Sequence, residues 1–187
     1  MLTHQGTCTL RTPRLTLDRF SPEDAQAMYD GWASDPQVTR FLTWTPHASP
    51  ALTRQLLEDW CAQYAHADYY NWAIRGEGRL IGNISVVETD ERSGRAALGY
   101  CLSAACWNRG YMTEAARAVV DFLFREVNAH RVEIIHAVKN PGSGAVARKC
   151  GLTLEGVRRE YFRADSGEYL DIAAYAILRR EWEQRIP

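Results

Sequence analysis

Several things are missing from this chain. In 187 residues no apolar run approaches the roughly 20 that a membrane-spanning helix requires. The opening Met1-Leu2-Thr3-His4-Gln5-Gly6 has no apolar stretch of the kind that marks a secretory signal. Charge of one sign is not in excess: 22 Lys and Arg stand against 23 Asp and Glu, a formal net charge of -1. No global field therefore draws nucleic acid or an anionic membrane, and neither is expected as a partner. The five cysteines, Cys8, Cys61, Cys101, Cys106 and Cys150, are odd in number and show no Cys-x-x-Cys spacing. A disulfide framework and a zinc site both fit poorly, which leaves free thiols, no metal and a cytoplasmic location as the expectation. With no repeat, linker or low-complexity stretch, one domain over 1–187 is expected.

What is present is ordinary globular usage, 46% hydrophobic and 24% charged, enough to bury a sizeable core. Arg14 to Phe20 alternates apolar and polar residues, as a half-buried strand does. Ser21-Pro22-Glu23-Asp24 then starts a helix that should run to about Trp32. Ser34 to Pro50 reads as a loop, and Ser49-Pro50 opens a second helix. Tyr69 to Arg75 and Leu80 to Val87 form a hairpin, with Ala96 to Ser103 as the next strand. From Thr113 to Val127 the period is helical, with Ala116, Val119, Val120, Leu123 and Val127 on one face and Asp121 and Arg125 as an i,i+4 pair. Arg131 to Val138 is an apolar strand and Gly144 to Lys149 a short helix. Leu154 to Tyr161 and Tyr169 to Leu178 close the chain around Asp165-Ser166-Gly167. The strand–helix–strand unit from Ala96 to Val138 makes that pair parallel, and the whole is a mixed-sheet α+β domain.

The run Cys106-Trp107-Asn108-Arg109-Gly110-Tyr111-Met112-Thr113-Glu114-Ala115 follows a strand and opens the longest helix. A helix N-terminus offers unpaired N–H groups and the positive end of a dipole, and a glycine there admits an anion to the backbone. The run is neither GxGxxG nor GxxxxGK[ST]. On these grounds alone Gly110 either helps to hold a phosphate or merely makes a tight turn.

Trp107 to Ala115 resembles the acyl-CoA pyrophosphate loop of the GNAT acetyltransferase superfamily. Asn140-Pro141-Gly142-Ser143 through Val146, Lys149, Gly151 and Leu152 is similar to its second CoA-contacting motif. The opening Leu10 to Leu17 and the closing Glu155 to Glu160 resemble the RimJ/RimL branch, whose members acetylate N-terminal amino groups of ribosomal proteins. The resemblance spans Leu10 to Trp182. It implies a mixed, mostly antiparallel sheet of about seven strands with flanking helices and a splayed parallel pair. It also implies acetyl-CoA as cosubstrate, contacted by Leu102, Arg109, Gly110, Tyr111, Met112, Thr113, Asn140 and Ser143. Two departures matter: Trp107 and Met112 replace the usual outer loop residues, and Ala147 stands where many members carry a tyrosine that protonates the leaving thiolate. The branch offers Ser143 for that role.

Acetyl transfer requires a neutral amine, a backbone N–H for the oxyanion, expected from Ala96 to Cys101 or just beyond, and a departing thiolate. A thiol with pKa near ~8.5 benefits from a proton donor, and an α-amine near ~7.7–8.0 needs little general-base help. Ser143 is the candidate acid, with a helix N-cap as its plainer role. Glu88 heads the candidate bases, ahead of Glu91, Glu160 and Asp171, each of which also suits solvated surface. His136 fits a core histidine. Trp44, Tyr70 and Trp72 either line the acceptor groove or fill the core. The thiols have no activating neighbours, which disfavours a cysteine-acyl route. The expected activity is direct transfer in a ternary complex to a primary amine, foremost a protein N-terminal α-amine. The alternatives are a small-amine or antibiotic acetyltransferase, or a non-catalytic acyl-CoA-binding domain. Loop Ser34–Pro50, with Phe41 and Trp44, and the turn near Asp165 should flank the acceptor groove. Asp35 is the one acid in that loop, too little to pair with a polycation. A homodimer is a further expectation.

Overall fold

The computed structural model describes residues 1–164 and 167–185. In chain order the elements are β1 (Leu10–Arg11), β2 (Leu15–Asp18), α1 (Ala25–Met28), α2 (Pro36–Thr39), α3 (Pro50–Gln63), β3 (Asn71–Gly76), β4 (Arg79–Asp90), β5 (Arg95–Leu102), α4 (Tyr111–Arg125), β6 (Arg131–Ala137), α5 (Pro141–Lys149), β7 (Thr153–Arg163), β8 (Tyr169–Leu178) and α6 (Arg179–Glu183). The strands form one eight-stranded sheet in the order β1-β2-β3-β4-β5-β6-β8-β7. This is the mixed α+β sheet expected, with eight strands rather than about seven. The extra strand is β1, whose two residues are too short to show a period. Of the turn expected at Asp165-Ser166-Gly167, Asp165 and Ser166 lie outside the described residues. Among the described residues no helix is long and apolar enough to cross a membrane.

The helix expected from Pro22 to Trp32 is broken into a 3-10 turn at Pro22–Asp24, α1, and a π turn at Tyr29–Ala33. At its start Asp24 closes a capping box by accepting the Ser21 N–H and also takes a two-pronged bond from the Arg75 guanidinium on β3. The π turn adds a residue to one turn and so carries Trp32 and Ala33 into full burial. Loop 34–50 contains the short helix α2, capped by Asp35. Helix α5 begins at Pro141, three residues before the expected Gly144, because Asn140 caps it and proline suits its first position.

Both faces of the sheet are covered at its centre. Ala115, Ala116, Val119, Val120 and Leu123 of α4 bury against Ala96, Leu98, Val132 and Ile134. On the other face Met28, Trp32 and Leu57 meet Ala73 and Cys101. Asp121 and Arg125 do not serve as the expected pair: Asp121 accepts the Trp182 indole N–H at 2.6 Å, and Arg125 lies over the Trp182 ring.

Every neighbouring pair of strands is antiparallel except β5 and β6. Their pairing begins at Arg95↔Arg131 and ends at Leu98↔Ile134. Beyond it β5 continues to Leu102 on β4, and β6 continues to Ala137 on β8. The two strands part there, and the sheet opens.

Candidate active site

One wall of the opening is the turn between β5 and α4. The Trp107 indole donates to the Leu102 carbonyl at 2.8 Å and folds the turn back on the strand. Gly110 sits at φ +79°, where an L side chain is strained, and directly precedes α4. No side chain caps this helix. The other long helices differ: Ser49 accepts from the Leu52 N–H at α3, and Asn140 from the Ser143 N–H at α5. The first N–H groups of α4 are thus left to point outward, at the end of a helix that carries about half a positive charge. That arrangement fits a pyrophosphate. A Cβ on Gly110 would meet only the Arg14 guanidinium, at 3.4 Å, so backbone conformation and not crowding demands glycine.

A brace holds this turn. Arg14 donates through Nη1 to the Arg109 carbonyl at 3.0 Å and through Nε to Glu114 at 2.6 Å, and its guanidinium lies 4.6 Å over the Tyr111 ring. Thr12 adds a 2.6 Å bond to Glu114. Burial pushes the Glu114 carboxyl up, but the bonds from Thr12 and Arg14 outweigh it and hold the group below its ordinary range. Arg14 and Glu114 each stood within a recognised run, yet nothing in the spacing joined residues so far apart along the chain.

The other wall is the start of α5. Ser143 is not the helix cap: Asn140 is, and Ser143 stands in the first turn with its hydroxyl free to turn elsewhere. That hydroxyl is 2.8 Å from Tyr100 Oη, which projects from β5 beyond the point where the strands part. The Ser143 carbonyl lies 3.3 Å from the same Tyr100 oxygen, a longer alternative acceptor for its single proton. Burial pushes the Tyr100 phenol far up, so it stays protonated. Tyr100 lies within the strand expected from Ala96 to Ser103, and nothing in its local pattern marks it for the site.

The carboxylates are less promising than expected. Glu88 is exposed and bonded to Arg95, whose hydrogen bond and charge hold its carboxyl below the ordinary range. It belongs to a ladder across the sheet in which Arg95 also reaches Glu133 at 3.2 Å, and Arg131 joins Glu133 at 2.6 Å to Glu155 at 2.7 Å. A carboxylate engaged by arginine and made more acidic is a poor proton acceptor, which argues against the base role expected of Glu88. Glu91 is paired with His4. Asp171 accepts the backbone N–H of Glu160 at 2.8 Å.

His136 stacks on Tyr175, and its Nδ1 lies 2.8 Å from the Ala137 carbonyl, which places the proton on that nitrogen. Burial lowers the pKa of this half-buried ring, and its Nε2, which has no hydrogen-bond partner among the described residues, faces Gly144 in the first turn of α5. Tyr70 and Trp72 are fully buried, and Trp44 packs into the cluster beneath α3. Tyr70 and Trp72 therefore fill the core, while Trp44 is only partly buried. Phe41 does reach across: it packs against Ala137, Leu170 and Ile172, beside Phe162 and Ala164, so the loop before α3 meets the far ends of β6, β7 and β8. Burial pushes the thiols of Cys101 and Cys150 up to about 12, the opposite of activation.

Residues 14–153 match the family described as "Acetyltransferase (GNAT) domain". The chain belongs to that family, and it is an N-acetyltransferase that draws its acetyl group from acetyl-CoA. Among its relatives, the uncharacterized N-acetyltransferase p20 of Bacillus licheniformis is 29% identical over 177 residues, 93% of this chain and 98% of that protein. The "Putative ribosomal N-acetyltransferase YdaF" of Bacillus subtilis (strain 168) is 28% identical over 172 residues, 90% of this chain and 93% of that one. The solved structure of RimL, a ribosomal L7/L12 α-N-protein acetyltransferase in complex with coenzyme A, superposes with a TM-score of 0.83 over 91% of this chain and 98% of RimL, a likeness of fold at 22% identity. These matches support the RimJ/RimL branch.

Proposed function

We propose that the protein, as one acyltransferase domain over 1–187, acetylates a protein N-terminal α-amine of the ribosomal type by direct attack in a ternary complex. The observation that carries this is the opening between β5 and β6, with an uncapped helix N-terminus on one wall and a Tyr100–Ser143 hydroxyl pair on the other. In this reading the N–H groups of Arg109, Gly110, Tyr111, Met112 and Thr113 hold the CoA pyrophosphate. Leu102 and Asn140 flank the acyl arm. The amine attacks the thioester carbon, a β5 backbone N–H in the opening receives the oxyanion, and Ser143 gives a proton to the departing sulfur.

Acceptor choice follows from what the opening is short of. Of the four candidate carboxylates, Glu88 and Glu91 are held in ion pairs and Asp171 accepts a backbone N–H, which leaves the exposed Glu160 at the irregular stretch of β7. A site this sparing of bases suits an amine that is already partly neutral. At pH 7.5 roughly a third of α-amines are neutral, against about one lysine ε-amine in a thousand. The YdaF relative's name points the same way. Five free thiols suit a reducing cytoplasm.

The test is thiol release from acetyl-CoA over peptides with a free small N-terminal residue, the same peptides capped, spermidine and an aminoglycoside. Free peptides are expected to give the highest kcat/KM and capped peptides none. A preference for spermidine, or acetylation of an internal lysine in a capped peptide, would promote the small-amine reading.

A further inference from the structure

We propose that Tyr100 is a positioning residue for Ser143, donating its proton to Ser143 Oγ so that the serine's own proton is directed at the leaving sulfur. The inference rests on the reading of Ser143 as the thiolate's acid. It adds a residue from β5, 43 positions away in the chain from Ser143 on α5.

Three observations carry it. The two hydroxyls are 2.8 Å apart, a full-strength hydrogen bond. The pair bridges the place where β5 and β6 have parted, so it spans the opening and does not stitch a continuous sheet. Ser143 is relieved of the cap, because Asn140 Oδ1 takes that duty, and its hydroxyl has Tyr100 as partner. A lone serine hydroxyl is a weak acid and turns freely. With a phenol donating to its oxygen, its proton can lie only in the remaining directions. The alkoxide that forms as the proton leaves is met at once by the Tyr100 O–H. Burial of the phenol keeps that proton on Tyr100 across the assay range.

The N–C bond forms and the C–S bond breaks with its electron pair on sulfur. Ser143 Oγ–H breaks as S–H forms, while Tyr100 shares its proton with the serine oxygen. The attacking nitrogen sheds one proton to solvent, and an equivalent proton returns to Ser143, so the pair ends unchanged.

The experiment is a double-mutant cycle on the full chain, Tyr100→Phe and Ser143→Ala alone and together, read as kcat, KM for acetyl-CoA and melting temperature. Tyr100→Phe is expected to lower kcat by roughly ten- to a hundredfold, the range of a hydrogen bond to a charged group, with KM unchanged. In the Ser143→Ala background the same change should cost less than about twofold. In the Ser143→Thr background, where the hydroxyl is kept, the full effect should return. Equal losses with and without the Ser143 hydroxyl would leave Ser143 as the acid and overturn the role of Tyr100. A large loss from Tyr100→Phe with little from Ser143→Ala would make Tyr100 itself the acid and overturn both. Little loss from either would also overturn both. Should Tyr100→Phe fail to fold, tetrafluorotyrosine at position 100 keeps the shape while making the hydroxyl far more acidic. Its kcat is then expected to fall as pH rises through the assay range at constant KM, and a profile matching wild type would overturn the proposal.

Discussion

Replacing Gly110 by valine separates the two things this glycine does. At φ +79° a branched side chain is strained by more than about 1–2 kcal/mol, the left-handed cost for ordinary residues. Against a typical net stability of about 5–15 kcal/mol the protein should stay folded. Crowding adds little, because the nearest atom to a new Cβ is the mobile end of Arg14 at 3.4 Å. The loss should appear in the ligand. A valine that swings out of the left-handed region turns the N–H groups of residues 110 and 111 and stands where a pyrophosphate would approach. Two hydrogen bonds to a charged group are worth about 3–6 kcal/mol, or about two to four decades in Kd for CoA. Calorimetric titration with CoA measures this. Gly78→Val is the control, since Gly78 has φ +75° with nothing within 4 Å of a Cβ and lies in the turn between β3 and β4. It should lose similar stability and keep CoA affinity. If the two variants bind CoA equally well, the pyrophosphate assignment fails and Gly110 is a turn residue only.

Ser143→Ala should lower kcat by roughly 10²–10⁴-fold without lowering the melting temperature, whereas Asn140→Ala, which removes the α5 cap, should cost about 1 kcal/mol of stability in a denaturant titration. Glu88→Gln should leave kcat within about threefold of wild type, since an arginine-paired carboxylate is not the base; a loss of the order of 10² would restore that role. The Glu114 carboxyl is held below its unfolded value, so its contribution is present above that value, near ~4.3, and is lost as pH falls through the folded one. Melting temperature should therefore fall below about pH 4 more steeply in wild type than in Glu114→Gln; parallel curves would show that the Arg14 brace contributes nothing.

What was legible in the amino acids was local. A glycine ahead of a helical run, and alternation along β3, β4 and β5, involve residues within a few positions of one another, so pattern and backbone preference report them directly. The parallel pair followed from a helix placed between two strands. Where two local rules competed, sequence reading erred: Asn140-Pro141-Gly142-Ser143 offers two capping residues, and only the folded backbone, with Pro141 at the first helical position, decides for Asn140 and frees Ser143. Likewise the interruption of the Pro22 helix, and the bond from Asp24 to Arg75 on a strand 51 residues away, have no local signal. The remaining features belong to tertiary structure alone. Arg14 meets Glu114 100 residues on, Tyr100 meets Ser143 across parted strands, and Glu88 is neutralised by Arg95 on the neighbouring strand. Sequence supplied the chemical groups and the element that carries each. Which hydroxyl finds which, and which carboxylate is left with a proton to take, depends on distances that exist only once the sheet has closed around its core, because side-chain pairing and acidity are set by neighbours in space and not along the chain.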